Sequence, residues 1–213
     1  MGKYNKGILG PFMGKVGTVV GSVWNGVHYL RSLGDYVDNP TTGQLNARAR
    51  VGLMVPFLSH MKSIISIGWF SQAKRGLTAM NAASSYHLKN AITGIAPAYA
   101  VDYPKVVISR GELDGAAAAE IGSAAGHIVD FSWESYTEMA YGKPTDLAVL
   151  LVYCEAENRF VFYRQTLRSV GEYSLVVPAS FVGAEVQCWL AFFSADLKLS
   201  SDSVFLGAVT VLA

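Results

Sequence analysis

The sequence predicts an α+β chain: an N-terminal β-hairpin and helices, followed by a seven-stranded β-sandwich of the immunoglobulin or fibronectin kind. Three observations predict it. Asn25-Gly26 stands between two apolar runs, apolar residues recur every four positions from Leu45 to Ile65, and from Lys105 onward short segments alternate with period two between turn residues.

The hairpin is the first element. Asn-Gly tolerates the positive φ that a type I′ turn requires at both central positions, so residues 16–24 and 27–31 pair across it. That turn sets Trp24 opposite Val27, Ser22 opposite Tyr29 and Val20 opposite Arg31, and leaves Val19, Gly21, Val23, Leu30 and His28 on the other face. Both faces are largely apolar, and two strands alone are marginal in water. Both faces need cover, either from the chain's own helices, with Leu53 and Phe57, or from a neighbour, for which Val19, Val23, Trp24, Val27, Tyr29 and Leu30 are the candidate assembly residues.

Helices follow a turn-rich link at 35–40. Thr41-Thr42-Gly43-Gln44 has the form of a capping box, and Leu45, Ala49, Leu53, Phe57, Met61 and Ile65 form one helical stripe. Pro56 is expected to kink or break this helix. A second helix is expected over residues 77–92, with Gly94 as its stop. Strands are expected over 105–109, 126–133, 146–154, 159–164, 173–177, 185–193 and 203–211, with Trp133 and Trp189 in the sandwich core. The Ala/Gly-rich stretch 115–126 reads as a loop or one short helix. The period switch divides the chain into a basic hairpin-plus-helical region, 1–104, and a sandwich, 105–213.

Charge is unevenly placed. Hydrophobic residues make up 51% of the chain and charged residues 15%, a low charged share that favours an oligomer over a lone monomer. The net charge is +1, yet residues 1–101 hold ten Lys and Arg against two acids, +8, and residues 102–213 hold seven against fourteen, −7. Lys3, Lys6, Lys15, Arg31, Arg48 and Arg50 form the candidate basic patch. Such asymmetry suits nucleic acid on the basic half, with Trp24 and Tyr29 as stacking rings. It suits equally a basic half meeting the acidic half of another copy.

Catalytic chemistry finds no footing. His28, His60, His87 and His127 show no i, i+4 pair and no neighbouring Cys or carboxylate cluster, so no metal site is expected. No Gly-x-Ser-x-Gly elbow is present, and Gly14, Gly17 and Gly21 do not form a dinucleotide-binding pattern. No catalytic residue and no cofactor are expected. Cys154 and Cys188 read as free core thiols. No apolar stretch reaches the roughly 20 residues a membrane span requires. The start, with Lys3 and Lys6 before Gly7-Ile8-Leu9-Gly10-Pro11, is too broken for a signal-peptide core, so the protein is expected to be cytoplasmic as synthesised. The partner expected is the chain itself or another protein, with nucleic acid the alternative.

The segment from Gly7 through Gly10-Pro11-Phe12-Met13-Gly14-Lys15-Val16-Gly17-Thr18-Val19-Val20-Gly21 resembles a bacterial family, chiefly of Bacteroidota, defined as a domain of unknown function. Residues 80–92, and the ending Phe192-Phe193-Ser194-Ala195-Asp196 with Ser203-Val204-Phe205-Leu206-Gly207, are similar to it as well. Met13 stands where that family often has Ser or another small polar residue. The resemblance implies no activity, cofactor or catalytic residue. Asn39-Pro40-Thr41 and residues 44–50 resemble short motifs of phage or prophage proteins. Taken together, these readings predict a non-enzymatic structural or interaction protein that self-assembles, as part of a filament, shell or phage-like particle.

Overall fold

A computed structural model describes residues 2–3, 10, 12–34, 38–74, 76–135 and 140–213. The chain forms two compact units, Met1–Thr41 and Thr42–Ala213.

The first unit is a four-stranded antiparallel sheet in the order β1-β4-β3-β2: β1 Gly2–Lys3, β2 Gly14–Val16, β3 Val19–Trp24 and β4 Val27–Ser32. Asn25 and Gly26 take φ of 50° and 77°, the turn their identities demand. The register is the one the turn dictates, with Trp24 opposite Val27, Ser22 opposite Tyr29 and Val20 opposite Arg31. The expected two-stranded hairpin gains a strand on each side. Gly17-Thr18 turns β2 back onto β3, setting Val16 opposite Val19 and Lys15 opposite Val20, and β1 sets Lys3 opposite Tyr29. Gly21 is the buried residue of this sheet among those described. A Cβ there would stand 2.9 Å from the Phe12 ring, so only glycine admits Phe12 at that place.

The second unit has three layers. Helices α1 Thr42–His60, α2 Lys62–Gly68 and α3 Ala79–Asn90 form one. A hairpin, β5 Ile92–Ile95 and β6 Ala98–Val101, follows α3. The other two layers are a four-stranded sheet, β10-β9-β12-β13, and a three-stranded sheet, β11-β8-β7. Their strands are β7 Glu120–Ala124, β8 Ile128–Ser132, β9 Leu147–Cys154, β10 Arg159–Leu167, β11 Glu172–Val176, β12 Glu185–Phe193 and β13 Val204–Thr210. Strands one, two and five in one sheet and four, three, six and seven in the other make this a seven-stranded sandwich of the immunoglobulin or fibronectin kind.

β9 and β12 explain the third layer. Ala148, Leu150, Val152 and Cys154, with Cys188, Leu190 and Phe192, point between the two sheets and pack with Val129, Phe131 and Trp133. Their alternates Val149, Leu151, Tyr153, Trp189, Ala191 and Phe193 point the other way and pack with Met54, Leu58, Ile64 and Ile65 of the helices. A strand apolar at every position is buried on both faces. Trp189 accordingly lies in the helix-facing core, not inside the sandwich with Trp133 as the sequence suggested.

Several other expectations are corrected. The helices share a core with the sandwich, so the expected boundary between 104 and 105 falls inside one unit, and the unit boundary lies at Thr41/Thr42. α1 runs through Pro56 and ends at His60. The chain then bends by 87° into α2. α3 stops at Asn90, and Gly94 is a hairpin glycine with φ of 87°, not a cap. Residues 105–109 do not form a strand. The Val107 amide donates to His87 Nε2 (3.1 Å) and the Ile108 amide to Ser203 Oγ (2.9 Å), so this backbone is satisfied outside any ladder. The seventh strand is β7, within the Ala/Gly-rich stretch expected to be loop or helix.

Candidate functional site

The N-terminal sheet carries most of the sequence-predicted site residues and sorts them by face. Strand alternation and register put Val16, Val19, Gly21, Val23, His28 and Leu30 on one side. The other side carries three successive rows: Lys15-Val20-Arg31, then Ser22-Tyr29, then Trp24-Val27. The six candidate assembly residues are therefore divided, with Val19, Val23 and Leu30 on the apolar face and Trp24, Val27 and Tyr29 on the other. Trp24 is 73% exposed and Val16 64%. The second face is basic at one end and aromatic at the other, which corrects the expectation that both faces are largely apolar.

The basic candidates are divided between the two units. Lys15 and Arg31 are exposed and share the face with Tyr29 and Trp24. Lys6 lies outside the described residues. Arg48 and Arg50 lie on α1 in the other unit, and Arg50 donates to the carbonyl of Leu88, joining α1 to α3.

A surface that the sequence reading missed lies on the three-stranded sheet. Its outer side also has three rows: Glu120-Ser132-Glu172, Gly122-Asp130-Ser174 and Ala124-Ile128-Val176. No Lys or Arg stands in β7, β8 or β11. Glu120 and Glu172 are exposed, and Ser174 Oγ donates to Asp130 Oδ1 at 2.5 Å. The signal was present as alternation within Glu120-Ile121-Gly122 and Ile128-Val129-Asp130, but β7 had first to be recognised as a strand.

A groove of about 310 Å³ runs beside α1, lined by Leu53, Pro56, Phe57, Tyr99, Tyr103 and Tyr153. The rings of Phe57, Tyr103 and Tyr153 contact one another, Phe57 and Tyr153 edge-on at 5.3 Å. Burial, with Tyr153 and Glu155 nearby, holds the Tyr103 hydroxyl above its usual range.

The buried polar groups are structural in their geometry. His87 Nδ1 donates to the Ala83 carbonyl (2.7 Å) and Nε2 accepts the Val107 amide (3.1 Å), which fixes a neutral ring whose pKa burial lowers. Arg168 donates to the Gly115 carbonyl at 2.6 Å, pairs with Asp146 at 3.6 Å and lies over the Phe192 ring at 3.9 Å. Among the described residues no group of three or more His, Cys, Asp or Glu could hold a metal ion. No single helix among them is long and apolar enough to cross a membrane.

With the fold and its faces defined, the chain can be placed among known proteins. The model of a family of unknown function, DUF6266, matches residues 11–207. This chain belongs to that family. Among solved structures, it is similar to the fn3 domain of human collagen alpha-1(XX) chain, with 10% identity over 47% of this chain and 88% of that one and a TM-score of 0.37. It is also similar to the fn3 domain of human contactin 1, with 10% identity over 49% of this chain and 83% of that one and a TM-score of 0.34. Comparison with curated proteins returns no match.

Proposed function

We propose that this member of the DUF6266 family is a non-enzymatic structural protein that self-assembles through its N-terminal sheet, as a component of a filament, shell or phage-like particle. One observation carries the reading. Among the described residues of the first unit only Gly21 is buried, while Val16, Val19, Val23, Trp24 and Val27 are exposed. A small sheet without a buried apolar layer of its own gains stability when another surface covers it. Each large side chain covered contributes roughly 1.5–3 kcal/mol.

Light scattering on the purified protein tests this. The intact chain should show a mass that rises with concentration, and Trp24→Ser with Val27→Thr should hold it at the monomer. A monomer at high concentration and low salt would overturn the proposal.

A second reading, binding of single-stranded nucleic acid, is favoured by Lys15 and Arg31 sharing a face with Tyr29 and Trp24. Anisotropy of a labelled oligonucleotide at low salt decides it: no binding there dismisses this reading.

A further inference from the structure

We infer that the contact is head-to-tail: the basic face of one copy's N-terminal sheet docks on the outer face of the three-stranded sheet in a second copy. The inference rests on the self-assembly proposed above and names the partner surface.

Two faces, each built of three rows, match in kind and in order. The N-terminal sheet runs from Lys15-Val20-Arg31 through Ser22-Tyr29 to Trp24-Val27. The three-stranded sheet runs from Glu120-Ser132-Glu172 through Gly122-Asp130-Ser174 to Ala124-Ile128-Val176. Each face is charged at one end and apolar at the other, the acidic face carrying a further carboxylate, Asp130, in its middle row, and the charges are opposite. The spacing matches too. Val20 to Trp24 and Ser132 to Ile128 are both four residues along a strand, about 13 Å at about 3.3 Å per residue. Stacking the sheets with the basic row over the acidic row sets Trp24 and Val27 over Ile128 and Val176. Neither face carries the wrong charge: no acid stands in β2, β3 or β4, and no base in β7, β8 or β11.

The occupant is a second copy and not an unrelated protein because this chain supplies both halves of the match. The faces differ, so the contact is heterologous. It leaves one free face at each end and propagates as a chain or closes as a ring. Strand spacing and rise give each face an area on the order of 300 Å². That is well below the roughly 800 Å² per partner of a stable interface. A single contact is therefore weak, concentration-dependent and sensitive to salt.

Charge exchange tests the proposal. One variant carries Lys15→Glu and Arg31→Glu, the other Glu120→Lys and Glu172→Lys; all four side chains are exposed, so the fold should tolerate them. Sedimentation velocity on nuclease-treated protein should show each variant losing self-association by about tenfold or more. An equimolar mixture should regain it, because each reversed face then meets its complement in the other variant. If a reversal unfolds the chain, Lys15→Gln with Arg31→Gln, checked by circular dichroism, should still weaken association. If the variants associate like the intact chain, or if both fail alone and the mixture does not recover, the head-to-tail contact is wrong while self-assembly stands. An intact chain that is monomeric throughout overturns self-assembly itself. Association that vanishes with nuclease assigns the basic face to nucleic acid and overturns the contact.

Discussion

His87 shows how burial fixes a single side chain's chemistry. Its two ring nitrogens are already committed, one donating to Ala83 and one accepting from Val107, so a second proton would find no acceptor and would strand the Val107 amide. The native ring therefore titrates below its ordinary 6.5, chiefly because burial penalises the charge. The sign follows from linkage. As pH falls through 6.5 the unfolded chain takes up a proton that the folded chain refuses, so stability is full above that value and declines below it. Urea midpoints should drop between pH 7 and pH 5, and His87→Gln should flatten that slope whatever it does to the midpoint at pH 7. Asp146 makes the complementary case for charge. It is buried against an equally buried Arg168 and accepts the Lys143 amide at 2.7 Å. Asp146→Ala leaves the guanidinium without its counter-ion and should cost about 3–5 kcal/mol, read by denaturant unfolding. The cysteines obey geometry. Cys154 pairs in register with Val186 and Cys188 with Val152, a diagonal placement of about 7–8 Å. That is beyond disulfide reach. Burial pushes the Cys188 thiol up to about 12. Alkylation should label both thiols after denaturation and neither before it, and a recovered Cys154–Cys188 disulfide would contradict this placement.

At the scale of elements, local chemistry was legible and competition between partners was not. Asn25-Gly26 determined a turn, and the turn determined the register of β3 and β4 residue by residue. Glu185–Phe193 was readable to its ends because turn residues bound a segment that ends in the apolar run Cys188–Phe193. β7 was not, because Ala and Gly dominate its surroundings and its pairing with β8 comes from tertiary structure. Residues 105–109 failed in the opposite sense. They are rich in β-branched residues like a strand, but His87 and Ser203 take the Val107 and Ile108 amides. Pro56 shows a similar limit, since α1 continues past it while the break comes at Met61. The candidate site was half legible: Trp24, Val27 and Tyr29, and their separation from Val19, Val23 and Leu30, follow from the turn, but the flanking strands β1 and β2 do not. Gly21 carries a prediction for this element. A side chain there displaces Phe12, so Gly21→Val should disorder the N-terminal sheet, seen as rapid amide exchange in residues 14–32, and leave exchange in β9 and β12 unchanged.

The whole molecule is explained by the two strands that are apolar on both faces. Leu147–Cys154 and Glu185–Phe193 supply side chains to two cores at once, so the sandwich cannot stand without a second cover. The helices are that cover. Met54, Leu58, Ile64 and Ile65 meet Val149, Leu151, Trp189 and Phe193. This accounts for part of the charge-poor composition within one chain, before any assembly is invoked. It also changes where the chain should be cut. A period switch near Lys105 suggests that residues 105–213 fold alone, but that fragment would expose Leu151, Trp189 and Phe193, three side chains worth roughly 1.5–3 kcal/mol each when buried. The loss is comparable to the whole stability of a typical domain. Residues 42–213 keep both cores and hold the compact unit intact. Limited proteolysis should therefore leave a protected fragment beginning near Thr42. Expressed alone, residues 42–213 should unfold cooperatively at a temperature close to that of the full chain. Residues 105–213 should bind a hydrophobic dye and aggregate. A stable, monomeric 105–213 fragment with a strand-type circular dichroism spectrum would show that the helical layer is an accessory and not a wall of the core.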